Sequence, residues 1–124
     1  MPDVVESEHI QIQHILIGFV GSVPGKPIKR TADEAKALSY ALLERARAGE
    51  DFAALVKANT DDAFPGIYGM ANKGVTPRSG EYPRNQMVPA FGDAGFPLKV
   101  GEVGIAAFDP RKSPYGWHIV KRLE

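Results

Sequence analysis

The sequence contains no cysteine, which excludes disulfides, thiolate nucleophiles and zinc–thiolate sites. Its 15 basic and 15 acidic residues give a formal net charge of zero, so the usual electrostatic basis for binding nucleic acid is missing. No apolar run approaches the ~20 residues that a membrane-spanning helix needs. Phosphate-binding loops, GxSxG elbows and nucleotide fingerprints are also absent. We therefore expect no nucleic-acid partner, no membrane insertion and no cofactor.

The 124 residues are enough for one domain with a sizeable core, so we assign residues 1–124 to a single unit. The acidic and polar start, MPDVVESEHI, does not have the pattern of a signal peptide, and we expect residues 1–8 to be flexible. We expect a soluble monomer. The compartment stays open between the cytoplasm and a domain taken from a larger extracytoplasmic protein.

The first strand is predicted from about His9 to Phe19, and its central stretch QIQHILI alternates in a way typical of a half-buried strand. Counting in twos places His14 on the apolar face, together with Ile10, Ile12 and Leu16. A histidine in an apolar position needs a hydrogen-bond partner or a function.

Helix signals follow the strand. The stretch TADE (31–34) predicts a capping box at the start of a long helix that ends near Gly49, and Asp51 is placed to cap a second helix. A third, short helix is predicted over 87–96, with Pro89 in its first turn.

Three further strands are predicted over 68–71, 103–108 and 117–123, whereas residues 72–86 are dense in turn formers and are expected to form a long surface loop. This order of elements predicts an α+β fold, namely a four-stranded antiparallel sheet surrounded by about four helices.

The chain resembles the parvulin family of peptidyl-prolyl cis/trans isomerases from about His9 to Glu124. The resemblance rests on five pieces in a fixed order: QHILI, GEDFAALVKANTDD, QMVPAF, FPLKVGEVG and GWHIVKRLE. The sequence departs from the family at GIYG (66–69), where a Gly-Asp-Leu-Gly-like turn is usual. The loop before Met87 is also longer than expected, and extra residues around DPRK make the alignment of Ser113 less secure than that of His118.

The resemblance implies an isomerase site and assigns its members position by position. The catalytic set comprises His14, Asp62, Ser113 and His118, and the residues that hold the substrate proline are Tyr68, Met87 and Phe91. The remaining histidine, His9, matches no part of the motif set and is interpreted as solvated.

The reaction that this site would accelerate is rotation about an Xaa–Pro bond, whose barrier of ~18–20 kcal/mol comes from amide resonance. An apolar pocket that excludes water, with polar groups that fit the twisted carbonyl, would favour rotation without a covalent intermediate. We therefore expect noncovalent twisting that assists protein folding, with proline-containing polypeptide segments as partners and no metal. A carboxylate nucleophile is less attractive, because carboxylates attack amides poorly.

The residues themselves leave alternatives open. Met87 and Phe91 have a spacing that core residues on one helix would share, and Asp62 lies in a helix-capping sequence. The composition of His14, His118 and Asp62 also fits a two-histidine, one-carboxylate metal site, although histidines bonded to each other cannot both face a metal. A catalytically weak peptide-binding or chaperone module of the same fold is the main functional alternative.

A basic loop follows the first strand and carries Lys26, Lys29 and Arg30. In the family this loop lies near the mouth of the pocket, so these side chains could favour an acidic or phosphorylated residue before proline. A solvated basic loop with no such role explains the same residues.

Overall fold

A computed structural model describes residues 5–124. The described chain forms, in order, β1 (His9–Ile17), α1 (Ala32–Arg47), α2 (Phe52–Asn59), β2 (Ile67–Ala71), β3 (Glu81–Pro83), a 3-10 helix (Arg84–Gln86), α3 (Pro89–Gly95), β4 (Val103–Ala106) and β5 (Trp117–Arg122). The predicted α+β class is confirmed.

All five strands form one sheet in the order β3-β2-β1-β5-β4. The central strand β1 pairs antiparallel with β2 and with β5, and β4 pairs antiparallel with β5, which agrees with the antiparallel sheet that was predicted. The predicted count of four strands is one too low, since the sheet has an additional edge strand, β3, which runs parallel to β2. Within residues 5–124 the helices number three and a 3-10 helix, close to the four predicted.

The alternation of β1 divides the core into two clusters, one on each face of the sheet. Ile15 and Ile17 face α1 and α2 within the larger cluster. Ile10 and Ile12 belong to the second cluster, with Phe91 of α3. Because the second face also carries His14, the odd histidine of QIQHILI is buried between the sheet and the α3 segment.

The helix starts follow the sequence signals. Thr31 caps α1 by accepting a hydrogen bond from the Glu34 backbone N–H, while the Glu34 carboxylate accepts one from the Thr31 N–H. This reciprocal bonding is the predicted capping box. Asp51 caps α2 by accepting from the Ala54 backbone N–H, also as predicted.

The segment 72–86 is more structured than the expected loop, because Arg84 bonds to the first residue of the segment and to two other parts of the chain. Its guanidinium donates to Glu6 Oε1 at 2.8 Å, to Asn72 Oδ1 at 3.0 Å and to Asp93 Oδ1 at 3.2 Å. The same group lies 4.7 Å from the centroid of the Phe96 ring, within cation–π range. Arg84 therefore anchors β3 and the 3-10 helix against α3.

The expected flexible stretch, residues 1–8, lies partly outside the described residues, which begin at position 5. Of the described part, Ser7 accepts a hydrogen bond from Asn72 through its carbonyl, and Asn72 N–H donates to the carbonyl of Glu8. Over residues 5–124, none of the helices combines the length and apolarity required to cross a bilayer.

Candidate active site

Two buried histidines on neighbouring strands form the floor of the candidate site. His14 on β1 and His118 on β5 have 0% and 1% of their surface exposed, and their Nδ1 atoms are 3.3 Å apart. The β1–β5 register places Leu16 opposite His118 and His14 opposite Val120, so the two imidazoles are diagonal neighbours on one face. The sequence expectation that the two histidines satisfy each other agrees with this contact, which requires one ring to donate and the other to accept.

The Asp62 carboxylate indicates which ring donates. Its Oδ2 lies 3.4 Å from His14 Nε2, an electrostatic contact rather than a well-aligned hydrogen bond. A proton on His14 Nε2 is favoured by that carboxylate, which leaves Nδ1 of His14 as the acceptor and assigns the shared proton to Nδ1 of His118. The Nε2 atom of His118 is buried and makes no hydrogen bond among the described residues.

The electrostatics of the three groups keep the carboxylate charged and His118 neutral. The pKa of Asp62 lies below its usual 3.8, chiefly because its carboxylate faces the N–H of His14, a contact that outweighs partial burial. Burial, together with the positive charge that His14 can carry, lowers the pKa of His118 from 6.5 to about 3. At neutral pH the site therefore presents one exposed anionic group above a neutral imidazole.

Aromatic rings surround the histidine pair. Phe91 of α3 packs edge-on against His14 at 4.8 Å and against His118 at 4.9 Å between ring centroids. Tyr68 of β2 stacks on Phe91 at 5.8 Å and lies 5.5 Å from His14. Phe91 is buried and Tyr68 half-buried, so the two rings extend the floor towards the surface.

Tyr82 continues this row of rings outward and was not singled out in the sequence. It lies opposite Met70 in the β2–β3 pairing and packs edge-on against Tyr68 at 6.2 Å. The Tyr82 side chain is 50% exposed.

Burial and the charge of Asp62 raise the pKa of the Tyr68 hydroxyl, so this group is a proton donor at neutral pH.

Met87 reaches the same region by a different route from the one predicted. The predicted helix over 87–96 starts only at Pro89, and Met87 has the extended backbone of the residue that ends the 3-10 helix. Helical spacing therefore does not place it beside Phe91. Its half-buried side chain nevertheless packs against the cluster that contains Phe91 and Met70.

Ser113 is fully buried, and its hydroxyl donates to the carbonyl of Gly116 at 2.6 Å. Its backbone pairs with Asp109 in an isolated bridge within the turn between β4 and β5. These bonds stabilise the turn that precedes His118. A catalytic role for Ser113 beside the histidines stays a prediction.

The stretch GIYG (66–69), which departs from the family pattern, begins with a glycine that the local backbone requires. Gly66 has φ +67°, and its carbonyl accepts a hydrogen bond from His14 N–H at 3.0 Å. A Cβ there would lie 2.9 Å from the His14 carbonyl oxygen and 3.2 Å from its ring. The backbone just before β2 therefore approaches His14 as closely as only glycine allows.

His9 is not solvated as expected, since its Nδ1 lies 2.7 Å from Glu81 Oε1 and its side chain is 15% exposed. The carboxylate of Glu81 belongs to β3, so the contact joins the additional edge strand to β1.

Across residues 5–124, no three histidine, aspartate or glutamate side chains converge in an arrangement that could hold a metal ion.

Comparison with known families identifies the family of this domain. A sequence model of the PPIC-type PPIase domain matches residues 3–124. The chain belongs to the PPIC-type PPIase domain family. The parvulin resemblance carried by QHILI, QMVPAF and GWHIVKRLE is thereby confirmed over nearly the whole chain.

Curated relatives of this PPIC-type domain are longer proteins. The chain is 32% identical to the chaperone SurA of Pseudomonas fluorescens over 117 residues, which cover 94% of this chain and 23% of that protein. It is 40% identical to the foldase protein PrsA of Caldanaerobacter subterraneus subsp. tengcongensis over 80 residues, covering 64% of this chain and 22% of the relative. The chain thus spans less than a quarter of the length of these relatives.

Solved structures share the fold of the PPIC-type domain. The solution structure of TbPIN1 superposes with a TM-score of 0.69 at 23% identity, covering 95% of this chain and 99% of that chain. The peptidyl-prolyl isomerase ESS1 from Candida albicans gives a TM-score of 0.65 at 27% identity, covering 99% of this chain and 67% of that chain. The TbPIN1 likeness, at this identity, establishes the fold alone.

Proposed function

We propose that this domain catalyses cis/trans rotation about Xaa–Pro bonds in polypeptide segments by noncovalent twisting. The observation that supports this most is the contact of Asp62 with the buried histidine pair, beside the Phe91 and Tyr68 rings. The rings provide an apolar wall for a prolyl ring, and Met87 lies in the same cluster. The chemistry needs no group beyond these side chains.

Asp62 acts through charge in this mechanism. The planar amide places partial negative charge on its carbonyl oxygen, and that charge decreases as rotation breaks the resonance. An ionised carboxylate beside the oxygen therefore destabilises the planar state more than the twisted one, which lowers the barrier. The half-buried rings exclude water that would otherwise hydrogen-bond to the planar amide. His14 holds the carboxylate, and His118 holds His14 in the required tautomer.

Exchange NMR on a tetrapeptide with a Leu–Pro bond tests the activity directly. Uncatalysed exchange takes tens to hundreds of seconds. We expect at least about a hundredfold acceleration, equivalent to a barrier lower by roughly 2.7 kcal/mol. Replacement Asp62→Asn removes the charge at constant size, and we expect kcat to fall roughly tenfold and KM to fall as well, because the bound planar amide is no longer destabilised.

The matched control is Asp33→Asn, which removes the same charge from an exposed position in the first turn of α1. It is expected to leave the exchange rate at the wild-type value. An Asp62→Asn protein as fast as the control would remove the carboxylate from the mechanism. If the wild-type protein gives no acceleration, the catalytic proposal fails.

Shortening the Met87 side chain should weaken substrate binding and leave the rate of rotation nearly unchanged. For Met87→Ala we expect KM to rise roughly fivefold to tenfold, with kcat within about twofold, because the lost contact holds the planar and twisted states equally. Leu98→Ala is the control, since Leu98 is another half-buried member of the same cluster. Equal effects of the two substitutions on KM would count against a proline slot at Met87.

A second function, peptide binding without catalysis, is favoured by the relatives SurA and PrsA, which are named a chaperone and a foldase. Titration of the same peptide followed by amide chemical shifts separates the two. Saturable shifts on Tyr68 and Met87 without accelerated exchange would favour the binding module.

A further inference from the structure

The residue before Asp62 points away from the site and is bonded to the end of β1. One carboxylate oxygen of Asp61, Oδ2, accepts a hydrogen bond from Gly18 N–H at 2.8 Å and another from Arg30 Nη1. The backbone N–H of Asp61 donates to the carbonyl of Leu16 at 2.8 Å. Asp61 thus contacts β1 through its main chain and its side chain together.

Thr60 adds a second attachment to the same turn. Its hydroxyl oxygen accepts from Leu16 N–H at 3.1 Å and from Asp62 N–H at 3.2 Å. Residues 60–62 follow directly after α2, so these bonds determine where the chain leaves the helix. They also set the distance between the Asp62 carboxylate and His14, which lies two residues before Leu16 on β1.

Arg30 closes the arrangement from the loop after β1. Its Nη1 also donates to the carbonyl of Gly18 at 3.1 Å, and its own carbonyl accepts from Val20 N–H at 2.9 Å. The side chains of Arg30 and Asp61 are 28% and 16% exposed, so the pair is partly withdrawn from solvent. The Arg30 guanidinium is therefore already bonded within the protein. This weighs against the hypothesis that it binds an acidic or phosphorylated residue of a substrate.

The pair has an electrostatic consequence for Asp62. Asp61 and Asp62 are adjacent carboxylates, and a partly buried charge without its partner is costly and repels a like charge nearby. Arg30 compensates the charge of Asp61. The Asp62 carboxylate interacts with His14 instead, and this contact lowers its pKa.

We propose that Arg30, acting through Asp61, is a positioning residue that keeps the ionised Asp62 carboxylate beside His14. This inference rests on the proposed isomerase function for its catalytic consequence. Its structural part, the state of Asp62, is measurable in the absence of any activity.

The test compares Arg30→Gln with the wild type by two measurements. Carbon-13 NMR of the side-chain carboxyl of Asp62 gives its titration midpoint, and exchange NMR gives kcat and KM. In Arg30→Gln we expect the midpoint to move upward by about one pH unit. We expect kcat to fall roughly fivefold to tenfold and KM to fall with it, because a misplaced carboxylate no longer destabilises the bound planar amide.

Two further variants control the result. Arg30→Lys retains a positive charge and is expected to restore most of the midpoint and of kcat. Arg45→Gln breaks another arginine pair, the exposed one with Glu50 at 2.8 Å, and should change neither. Thermal unfolding of each variant verifies that the comparison is made on folded protein. If Arg30→Gln does not fold, Arg30→Met, which also removes the charge and keeps a long unbranched side chain, replaces it.

The outcomes separate the inference from the proposed function. An unchanged Asp62 midpoint in Arg30→Gln, or in Arg30→Met where that variant is used, overturns the inference, whatever the activity. A midpoint that moves only as much as in Arg45→Gln overturns it as well. If the wild-type protein does not accelerate exchange, the proposed function fails, while a shifted midpoint that Arg30→Lys restores still supports the positioning of Asp62.

Discussion

Lowering the pH from 7 to 4 is expected to reduce the free energy of unfolding by about 3 kcal/mol through His118 alone. The folded protein holds this imidazole neutral, with a pKa of about 3 instead of 6.5, mainly because of burial. Between these values the unfolded chain binds a proton that the native state does not, so stability rises with pH. The contribution of His118 is complete above pH 6.5 and is lost progressively as the pH falls towards 3.

Urea denaturation at pH 7 and pH 4 measures this effect when it is repeated with His118→Gln. Glutamine can still donate to Nδ1 of His14, but it does not titrate. We expect the wild-type protein to lose about 3 kcal/mol more than the variant between the two pH values. Carboxylates titrate in both proteins and cancel in the difference. Equal losses would mean that His118 is accessible to protons in the folded state, which would contradict a buried neutral pair.

The pattern of β1 and the helix caps were predictable because they depend on local physics. A period of two residues assigns Ile10, Ile12 and His14 to one face of β1, whatever the strand pairs with. The capping box of Thr31 and Glu34 forms within four residues of chain. Such signals survive in the structure because no long-range contact opposes them.

Strand β3 and the position of Met87 were not predictable in the same way. The strand is three residues long, ends at Pro83 and is flanked by turn formers, so neither length nor propensity indicates it. Its place depends on long-range bonds, from Glu81 to His9 and from Arg84 to Glu6 and Asp93. The same segment holds Met87 in an extended conformation. A prediction that makes QMVPAF helical from Met87 onward excludes that conformation.

The candidate site was also predictable only in part. Alternation shows that His14 and His118 are each on an apolar face, but their contact requires the β1–β5 register between residues 104 positions apart. Resemblance supplied that pairing and the choice of Asp62. The contact between Asp61 and Arg30 was missed, because a basic loop and an Asp-Asp pair each have an ordinary explanation until the coordinates join them.

Replacing Gly116 by alanine is expected to destabilise the fold by roughly 3 to 5 kcal/mol, the sum of backbone strain and overpacking. The residue has φ +139° and immediately precedes β5, two positions before His118. A Cβ there would lie 2.2 Å from the Ile17 carbonyl oxygen and 2.9 Å from Gly18 Cα. Both are backbone atoms of the chain that ends β1, so relief requires the two central strands to separate.

Gly101→Ala isolates the part due to the backbone conformation. Gly101 also has a left-handed φ, +89°, but a Cβ there meets nothing within 4 Å. We expect it to cost only about 1 kcal/mol in chemical denaturation. The difference between the two alanine variants measures how tightly the turn that carries Ser113 and Gly116 is packed against β1. A Gly116→Ala protein as stable as Gly101→Ala would show that β1 and β5 tolerate a shift at this end, and the contact between His14 and His118 would then not depend on that packing.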